Sequence, residues 1–219
     1  MTIRQLGVPT PLVAFYPPIR EEVEALYPGA KFNRERRVLD EDELIRFLSD
    51  CDAAIIGFEH LTERVLAGLP NLKVIGKFGA GLEKIDFAAL RRHNVRFGYQ
   101  FGVNALAVAE LTLGFMLSAL RWVTPLNVLM RAGARPERRN GRNLTGRVVG
   151  IHGCGNIGKQ VVRLLRPFEC EILACDIKDY PEFYRKYAVA PVSFETLLER
   201  SEVLSLHLDH LHVAEEQVD

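Results

Sequence analysis

Short apolar runs alternate with segments of helical periodicity through the first hundred residues. Apolar runs bounded by proline, glycine or polar residues predict buried strands at 12–16, 53–57, 73–78 and 95–97. Apolar residues spaced three or four apart predict helices at 19–26, 40–48, 62–69 and 86–93. Asp40, with Glu43 three residues on, predicts a capping box at one of these helices. The alternation of strands and helices is typical of a parallel α/β sheet.

The second half of the chain opens with a different pattern. Residues 105–130 predict one long apolar helix, which Pro125 is expected to kink or end. An arginine-rich stretch follows, and strand–helix alternation resumes at Arg147. The predicted strands here are 148–151, 171–175, 188–190 and 203–207, with helices at 156–165 and 193–200. We therefore expect two lobes, residues 1–100 and 101–219, joined by the long helix.

A glycine-rich turn joins the first strand of the second lobe to the helix after it. Gly153, Gly155 and Gly158 have the G-x-G-x-x-G spacing. The first glycine allows the tight turn, the second lets a pyrophosphate approach the backbone, and the third lets the helix pack near the sheet. A helix that begins near Asn156 aims its unpaired N–H groups at the phosphates.

An acidic residue follows the next strand at the distance that such a site needs. Asp176 comes 18 residues after Gly158, close to the expected value of about 20. A carboxylate there accepts hydrogen bonds from the ribose hydroxyls and repels a 2′-phosphate, so NAD is favoured over NADP. Lys178 lies two residues past Asp176 and could accept the 2′-phosphate of NADP, so NADP remains an alternative cofactor. The alternative is a plain βαβ turn that binds nothing.

Composition excludes several classes of function. Lys and Arg together equal Asp and Glu at 28 each, so no overall charge attracts nucleic acid or an anionic membrane. We interpret the arginine-rich stretch 131–142 as a solvated connection. The four cysteines show no metal-finger or C-x-x-C spacing, and no metal site is predicted. Free thiols and the absence of a recognisable signal peptide lead us to expect a cytoplasmic protein.

Several motifs, in order, resemble the D-isomer-specific 2-hydroxyacid dehydrogenases, with the phosphoglycerate dehydrogenase branch the most similar. They are the segment 72–81 with Asp86 after it, the segments 102–105 and 108–112, the strand entry 144–151, the glycine motif, and 205–208. The resemblance covers essentially the whole chain. It implies a flavodoxin-like substrate lobe followed by a Rossmann NAD-binding lobe, and hydride transfer between NAD and a small D-2-hydroxyacid or 2-keto acid.

The resemblance also assigns roles to residues. Phe78, Gly79, Ala80 and Gly81 match a loop whose backbone N–H groups bind the substrate carboxylate, and a glycine-rich turn can present such donors. An ordinary strand–helix turn is the alternative for this loop. Asn104 is expected to help order the substrate site or to cap the long helix. The residues implied to bind the cofactor are Gly153, Gly155, Asn156, Ile157, Gly158, Asp176 and His207.

The family's catalytic Arg, Glu and His have no counterpart in this sequence. In the family all three follow the segment that matches 205–208, and this chain stops at Asp219. We therefore expect an incomplete Rossmann lobe, truncated before the catalytic part, and an inactive chain. The alternative function is a non-catalytic NAD-binding or dimerising module, similar to the family's corepressors or a gene remnant. Family members commonly pair through the cofactor lobe, so a homodimer is expected.

Overall fold

The computed structural model describes residues 2–135 and 137–208. These residues divide into two compact units, the first ending at Phe101 and the second beginning at Gly102. Each unit is built on its own parallel β-sheet flanked by helices, so the predicted α/β class is confirmed. The predicted tail residues 209–219 lie outside the described residues.

The first unit contains a five-stranded parallel sheet in the order β2-β1-β3-β4-β5. This is the order of flavodoxin-like doubly wound folds. The strands are β1 Leu6–Val8, β2 Lys31–Phe32, β3 Ala53–Ile56, β4 Val74–Lys77 and β5 Arg96–Gly98. The helices are α1 Pro11–Ala14, α2 Pro17–Leu26, α3 Glu41–Leu48, α4 Glu63–Ala67 and α5 Phe87–Arg92.

Helix starts in the first unit follow the capping residues in the sequence. The Asp40 side chain accepts the Glu43 N–H, and the Glu43 side chain accepts the Asp40 N–H, so the predicted capping box is present. Thr62 and Asp86 cap α4 and α5 by accepting the backbone N–H groups of Val65 and Ala89, respectively. These caps hold the helices whose buried side chains pack against Ala54, Ile56 and Ile75 of the sheet.

The predicted first strand, 12–16, is wrong. Residues Pro11–Ala14 form α1, and the strand lies earlier, at Leu6–Val8. Pro11 is in the first turn of that helix, where its missing N–H costs nothing. The Ala14 N–H then bonds to the Thr10 carbonyl. A short apolar run does not distinguish a strand from a buried helical turn, and the two-residue β2 gave no pattern to predict.

The second unit contains a four-stranded parallel sheet in the order β8-β7-β6-β9. The strands are β6 Val148–His152, β7 Glu171–Cys175, β8 Val189–Pro191 and β9 Val203–Leu206. The helices are α6 Ala105–Arg121, α7 Val123–Arg131, α8 Asn156–Leu165, α9 Pro181–Tyr187 and α10 Phe194–Arg200. Helices α6 and α8 pack with β6 and β7 around a core that includes Ala109, Val149, Ile151 and Val161.

The long apolar segment breaks before Pro125 rather than at it. Trp122 adopts a left-handed conformation with φ of 58° and separates α6 from α7. Pro125 lies in the first turn of α7, a position that needs no N–H donor. Within the described residues, no single helix meets the length and apolar composition of a membrane span; α6 and α7 meet them only jointly, across a 69° bend.

Asp52 ties together the starts of two strands in the first unit. Its buried carboxylate accepts the backbone N–H groups of Arg4 and Gln5 at 3.0–3.1 Å. The Gln5 N–H, followed by that of Arg4, holds the pKa of Asp52 below its usual value. A depressed folded-state pKa gives stability that is present above the unfolded pKa of about 3.9 and is lost as the pH falls through the folded pKa.

We expect Asp52→Asn to lower the thermal unfolding midpoint at pH 7, because a neutral amide accepts these N–H groups less strongly. The difference in unfolding midpoint between wild type and variant should shrink as the pH falls below about 4, because the carboxylate protonates first in the unfolded chain. Calorimetry between pH 3 and pH 7 measures both effects. Asp179→Asn, at an exposed site, is the charge-matched control, and a constant gap across this range would contradict the prediction.

Candidate functional site

The turn between β6 and α8 is packed too tightly for side chains at two of its glycines. Gly153 has a φ of +91°, and a Cβ placed on it would lie 2.3 Å from the backbone oxygen of His207. A Cβ on Gly158 would lie 2.2 Å from the Gly153 oxygen. Backbone therefore meets backbone at both positions, which brings α8 close to the sheet.

Gly155, between them, faces open space. A Cβ placed on it would have no atom within 4 Å. Gly155 is also the N-cap of α8 and offers no side chain to the helix end. Within the described chain, no hydrogen bond involves the N–H groups of Asn156, Ile157 or Gly158. Unpaired N–H groups and the positive end of the helix dipole, beside a position without a side chain, fit a pyrophosphate.

The Asp176 carboxylate is fixed at the mouth of this turn by backbone donors. Oδ2 accepts the Cys154 N–H at 2.5 Å, and Oδ1 accepts the Lys178 N–H at 2.8 Å. Each carboxylate oxygen has a second lone pair for another donor. The side chain therefore points toward the glycine turn, and it retains acceptors for the two hydroxyls of a ribose.

His207 supports the turn through its backbone. Its N–H donates to the His152 oxygen at 2.7 Å, and its own carbonyl lies against Gly153. The ring Nε2 lies 2.9 Å from the Ser205 hydroxyl. Burial lowers the pKa of His207, which keeps the ring neutral near pH 7. The sequence indicated a position near the cofactor but gave no sign of this packing role.

An aromatic cluster beside Asp176 was not predicted from the sequence. The predicted elements left out α9, which carries Tyr180 at its N-cap, together with Phe183. The Lys159 ammonium lies 3.3 Å from the centre of the Tyr180 ring and 5.8 Å from that of Phe183. Burial lowers the pKa of Lys159, and nearby Asp176 opposes that shift. The cluster therefore contacts the first turn of α8 through Lys159.

The predicted carboxylate-binding loop lies in the first unit, directly after β4. Gly79 has a φ of +99°, and the Phe78 N–H bonds to the Ile56 oxygen at 2.7 Å, continuing the sheet to the edge of the loop. In the described chain, the N–H groups of Gly79, Ala80 and Gly81 make no hydrogen bond. Several unpaired N–H groups in one exposed turn can hold an anion.

Asn104 occupies the N-cap position of α6, but its side chain makes no capping hydrogen bond. Its backbone oxygen accepts the Val108 N–H at 3.0 Å. The side chain is exposed. The capping role that the sequence left open is therefore not seen, and a role toward substrate stays a prediction.

Residues 113–218 match the family model of the D-isomer specific 2-hydroxyacid dehydrogenase NAD binding domain. This match includes the glycine turn and Asp176. Residues 113–218 therefore carry the NAD-binding domain of the D-isomer-specific 2-hydroxyacid dehydrogenases. The family's NAD-binding domain confirms the predicted cofactor and the Rossmann character of the second unit.

Individual members of the family show the extent of the similarity. Hydroxypyruvate reductase of Thermotoga maritima is 30% identical over 172 residues, covering 78% of this chain and 55% of its own length. D-3-phosphoglycerate dehydrogenase of Sus scrofa is 28% identical over 187 residues, covering 84% of this chain and 35% of its own length. The structure of D-lactate dehydrogenase from Escherichia coli superposes with a TM-score of 0.78 at 24% identity, covering 94% of this chain and 65% of that protein. The chain thus spans about half or less of these curated dehydrogenases, and the structural likeness shows the shared fold.

The three glycines should respond differently to an added methyl group. We expect Gly153→Ala and Gly158→Ala to destabilise the second unit by about 1–3 kcal/mol, because each methyl group meets a backbone oxygen. Gly155→Ala should change the free energy of unfolding much less, since its site is open. Urea unfolding of the three variants tests this ranking, and a Gly155 variant as unstable as the Gly153 variant would contradict the packing described here.

Proposed function

We propose that this chain binds NAD through Gly153, Gly155, Gly158 and Asp176, and the carboxylate of a small 2-hydroxyacid or 2-keto acid through residues 78–81. One observation carries the cofactor site: the open space at Gly155 lies beside the unpaired N–H groups of α8. The fixed carboxylate of Asp176 adds acceptors for a ribose and a negative charge that disfavours a 2′-phosphate. Asn156, Ile157 and His207 complete the proposed cofactor site.

Bound NAD would supply the hydride acceptor or donor. The residues of this chain would then bind and orient: α8 holds the diphosphate, Asp176 the ribose, and the Gly79–Gly81 amides the substrate carboxylate. The names of the relatives support a short 2-oxo acid or its reduced form as substrate, because they include a hydroxypyruvate reductase and a D-3-phosphoglycerate dehydrogenase. Glyoxylate, hydroxypyruvate and phosphohydroxypyruvate are therefore the substrates to test.

The expected inactivity of these 219 residues remains a prediction. No position in the sequence matches the family's catalytic Arg, Glu and His, and oxidation of a hydroxyl needs a base near neutral pH. We also propose a cytoplasmic location, which the four free cysteines support. The Cys154 thiol, beside the glycine turn, has its pKa raised by burial to about 11 and stays protonated.

Wild-type protein should bind NADH, and Asp176→Ser should weaken that binding at least tenfold, because the ribose loses charged acceptors. The same variant should narrow the preference for NADH over NADPH. Fluorescence titration with both nucleotides measures these affinities. Asp179→Ser, three residues away and exposed, is the matched control. Absence of NADH binding by the wild type would reject the proposed function, and equal affinity of the Asp176 variant would reject its role.

We propose that the chain pairs with a second copy through α6 and α7. None of the residues of α7 is buried within this chain. The exposed apolar side chains of the two helices include Leu106, Leu111, Phe115, Val123, Val128 and Met130. Large apolar side chains exposed in such number on two successive helices favour an interface. Their exposure supports a symmetric dimer formed through the second unit.

Met130→Glu should shift the chain from dimer to monomer, because pairing would bury an unpaired carboxylate. Met130 is 67% exposed and so tolerates the change in the single chain. Leu26→Glu, at an equally exposed position (67%) in the first unit, should leave the dimer intact. Sedimentation equilibrium of the three proteins decides the matter. A monomeric wild type, or a dimeric Met130 variant, would contradict this interface.

A further inference from the structure

The N–H groups of the proposed carboxylate loop, residues 78–81, must face the bound carboxylate. The loop backbone, however, makes few hydrogen bonds that would fix this orientation. Gly79 and Gly81 lack side chains that could fix their peptide planes. Two side chains from the ends of neighbouring strands donate hydrogen bonds to carbonyl oxygens of this loop. They are Lys77, the last residue of β4, and Tyr99, which follows β5.

Lys77 lies beneath the start of the loop. Its ammonium donates to the Phe78 oxygen at 3.0 Å and to the Gly57 oxygen at 2.8 Å. It is 3.5 Å from the place where a Cβ on Gly79 would stand. One cation therefore joins the loop after β4 to the loop after β3, and charge-assisted bonds of this kind are stronger than neutral ones.

A fully buried acid lies within electrostatic range of this cation. Glu59 is 0% exposed, and its Oε2 accepts the Gly57 N–H at 2.6 Å, which fixes the loop that carries the second carbonyl. Burial lowers the pKa of Lys77, and the charge of Glu59 opposes part of that shift. Gly57 itself has no room for a side chain, because its Cβ would lie 2.2 Å from the Thr10 hydroxyl.

Tyr99 holds the other end of the loop. Its hydroxyl donates to the Ala80 oxygen at 2.6 Å. The ring is positioned by its neighbours, with Phe101 edge-on at 4.6 Å and Phe97 stacked at 6.4 Å between ring centres. A hydroxyl on a ring held in this way donates in a fixed direction.

The geometry of the peptide bond connects these contacts to the substrate. In a trans peptide the N–H points opposite to the C=O of the same unit, and the described residues contain no cis peptide. The Phe78 carbonyl is held by Lys77, so the Gly79 N–H points away from Lys77. The Ala80 carbonyl is held by Tyr99, so the Gly81 N–H points away from Tyr99.

We infer that Lys77 and Tyr99 are positioning residues, which orient the Gly79 and Gly81 peptide planes so that their N–H groups face the carboxylate of the substrate. This inference rests on the proposed function of the loop. It assigns the ammonium of Lys77 to the backbone rather than to the substrate. Both side chains affect substrate binding only through the peptide units whose orientation they fix.

The test is a titration of ¹⁵N-labelled full chain with glyoxylate, followed by the amide signals of Gly79 and Gly81. Tyr99→Phe removes the hydroxyl and keeps the ring, and Lys77→Met keeps the length of the side chain without its charge. Each should weaken glyoxylate binding about tenfold, a change that one lost charge-assisted or short hydrogen bond accounts for. Lys77→Arg, which retains a cation with several donors, should recover most of the affinity.

Matched controls separate positioning from general effects. Lys84→Met removes the same charge near the loop, from a side chain that bonds to Phe58 rather than to residues 78–81. Tyr16→Phe removes a hydroxyl from an exposed ring of the first unit. Both should bind glyoxylate as the wild type does. NADH affinity should be the same in all variants, because the cofactor residues lie in the second unit.

The outcomes are distinguishable. If glyoxylate shifts the Gly79 and Gly81 signals of the wild type, and Tyr99→Phe binds it equally well, the inference is overturned and the carboxylate site stands. If the wild-type signals do not respond, the carboxylate site fails and the inference with it, while NADH titration still reports on the cofactor half. If Lys84→Met loses as much glyoxylate affinity as Lys77→Met, the effect comes from long-range charge, and the positioning role of Lys77 is overturned.

Discussion

Direct backbone contact at Gly153 is the constraint on which the second unit depends. The carbonyl of His207 and the Gly153 backbone approach so closely that no Cβ fits between them. This contact lets β6 turn sharply into α8 and places the end of β9 beside the turn. The helix then starts with its N–H groups unpaired and Gly155 open. The proposed diphosphate site therefore follows from the packing of main chain at the positive end of a helix.

Both proposed anion sites consist of backbone N–H groups, and at each of them side chains hold the surrounding main chain. In the second unit a carboxylate does this, since Asp176 binds the Cys154 and Lys178 N–H groups at the edge of the turn. In the first unit the holding groups are donors, Lys77 and Tyr99, which bind carbonyl oxygens. Orientation before binding reduces the ordering cost that a ligand must overcome. Glycine provides access, and neighbouring side chains restore the rigidity that glycine lacks.

Local rules predicted the elements whose signals are carried by side chains close in sequence. The capping box at Asp40, the strand Glu171–Cys175 and the start of α8 at Asn156 lie where the sequence placed them. The failures lie where a short apolar run has two interpretations. Residues 12–16 were predicted as a strand and instead contain α1, because Pro11 begins a helical turn there. The break in the long helix falls at Trp122, where a left-handed residue ends α6 before Pro125 is reached.

The sequence by itself determined the fold class and the position of the glycine turn, since periodicity and the spacing of glycines and Asp176 are local properties. Its ordered motifs carried the resemblance to the family. Tertiary structure alone decided what surrounds these residues. His207 packs on Gly153 through its carbonyl, and Lys77 and Tyr99 donate to the backbone oxygens of Gly57 and Ala80 from separate strand ends. Such contacts depend on the order of strands in the sheet. Because they join main-chain atoms to residues distant in sequence, no pattern of residue types records them.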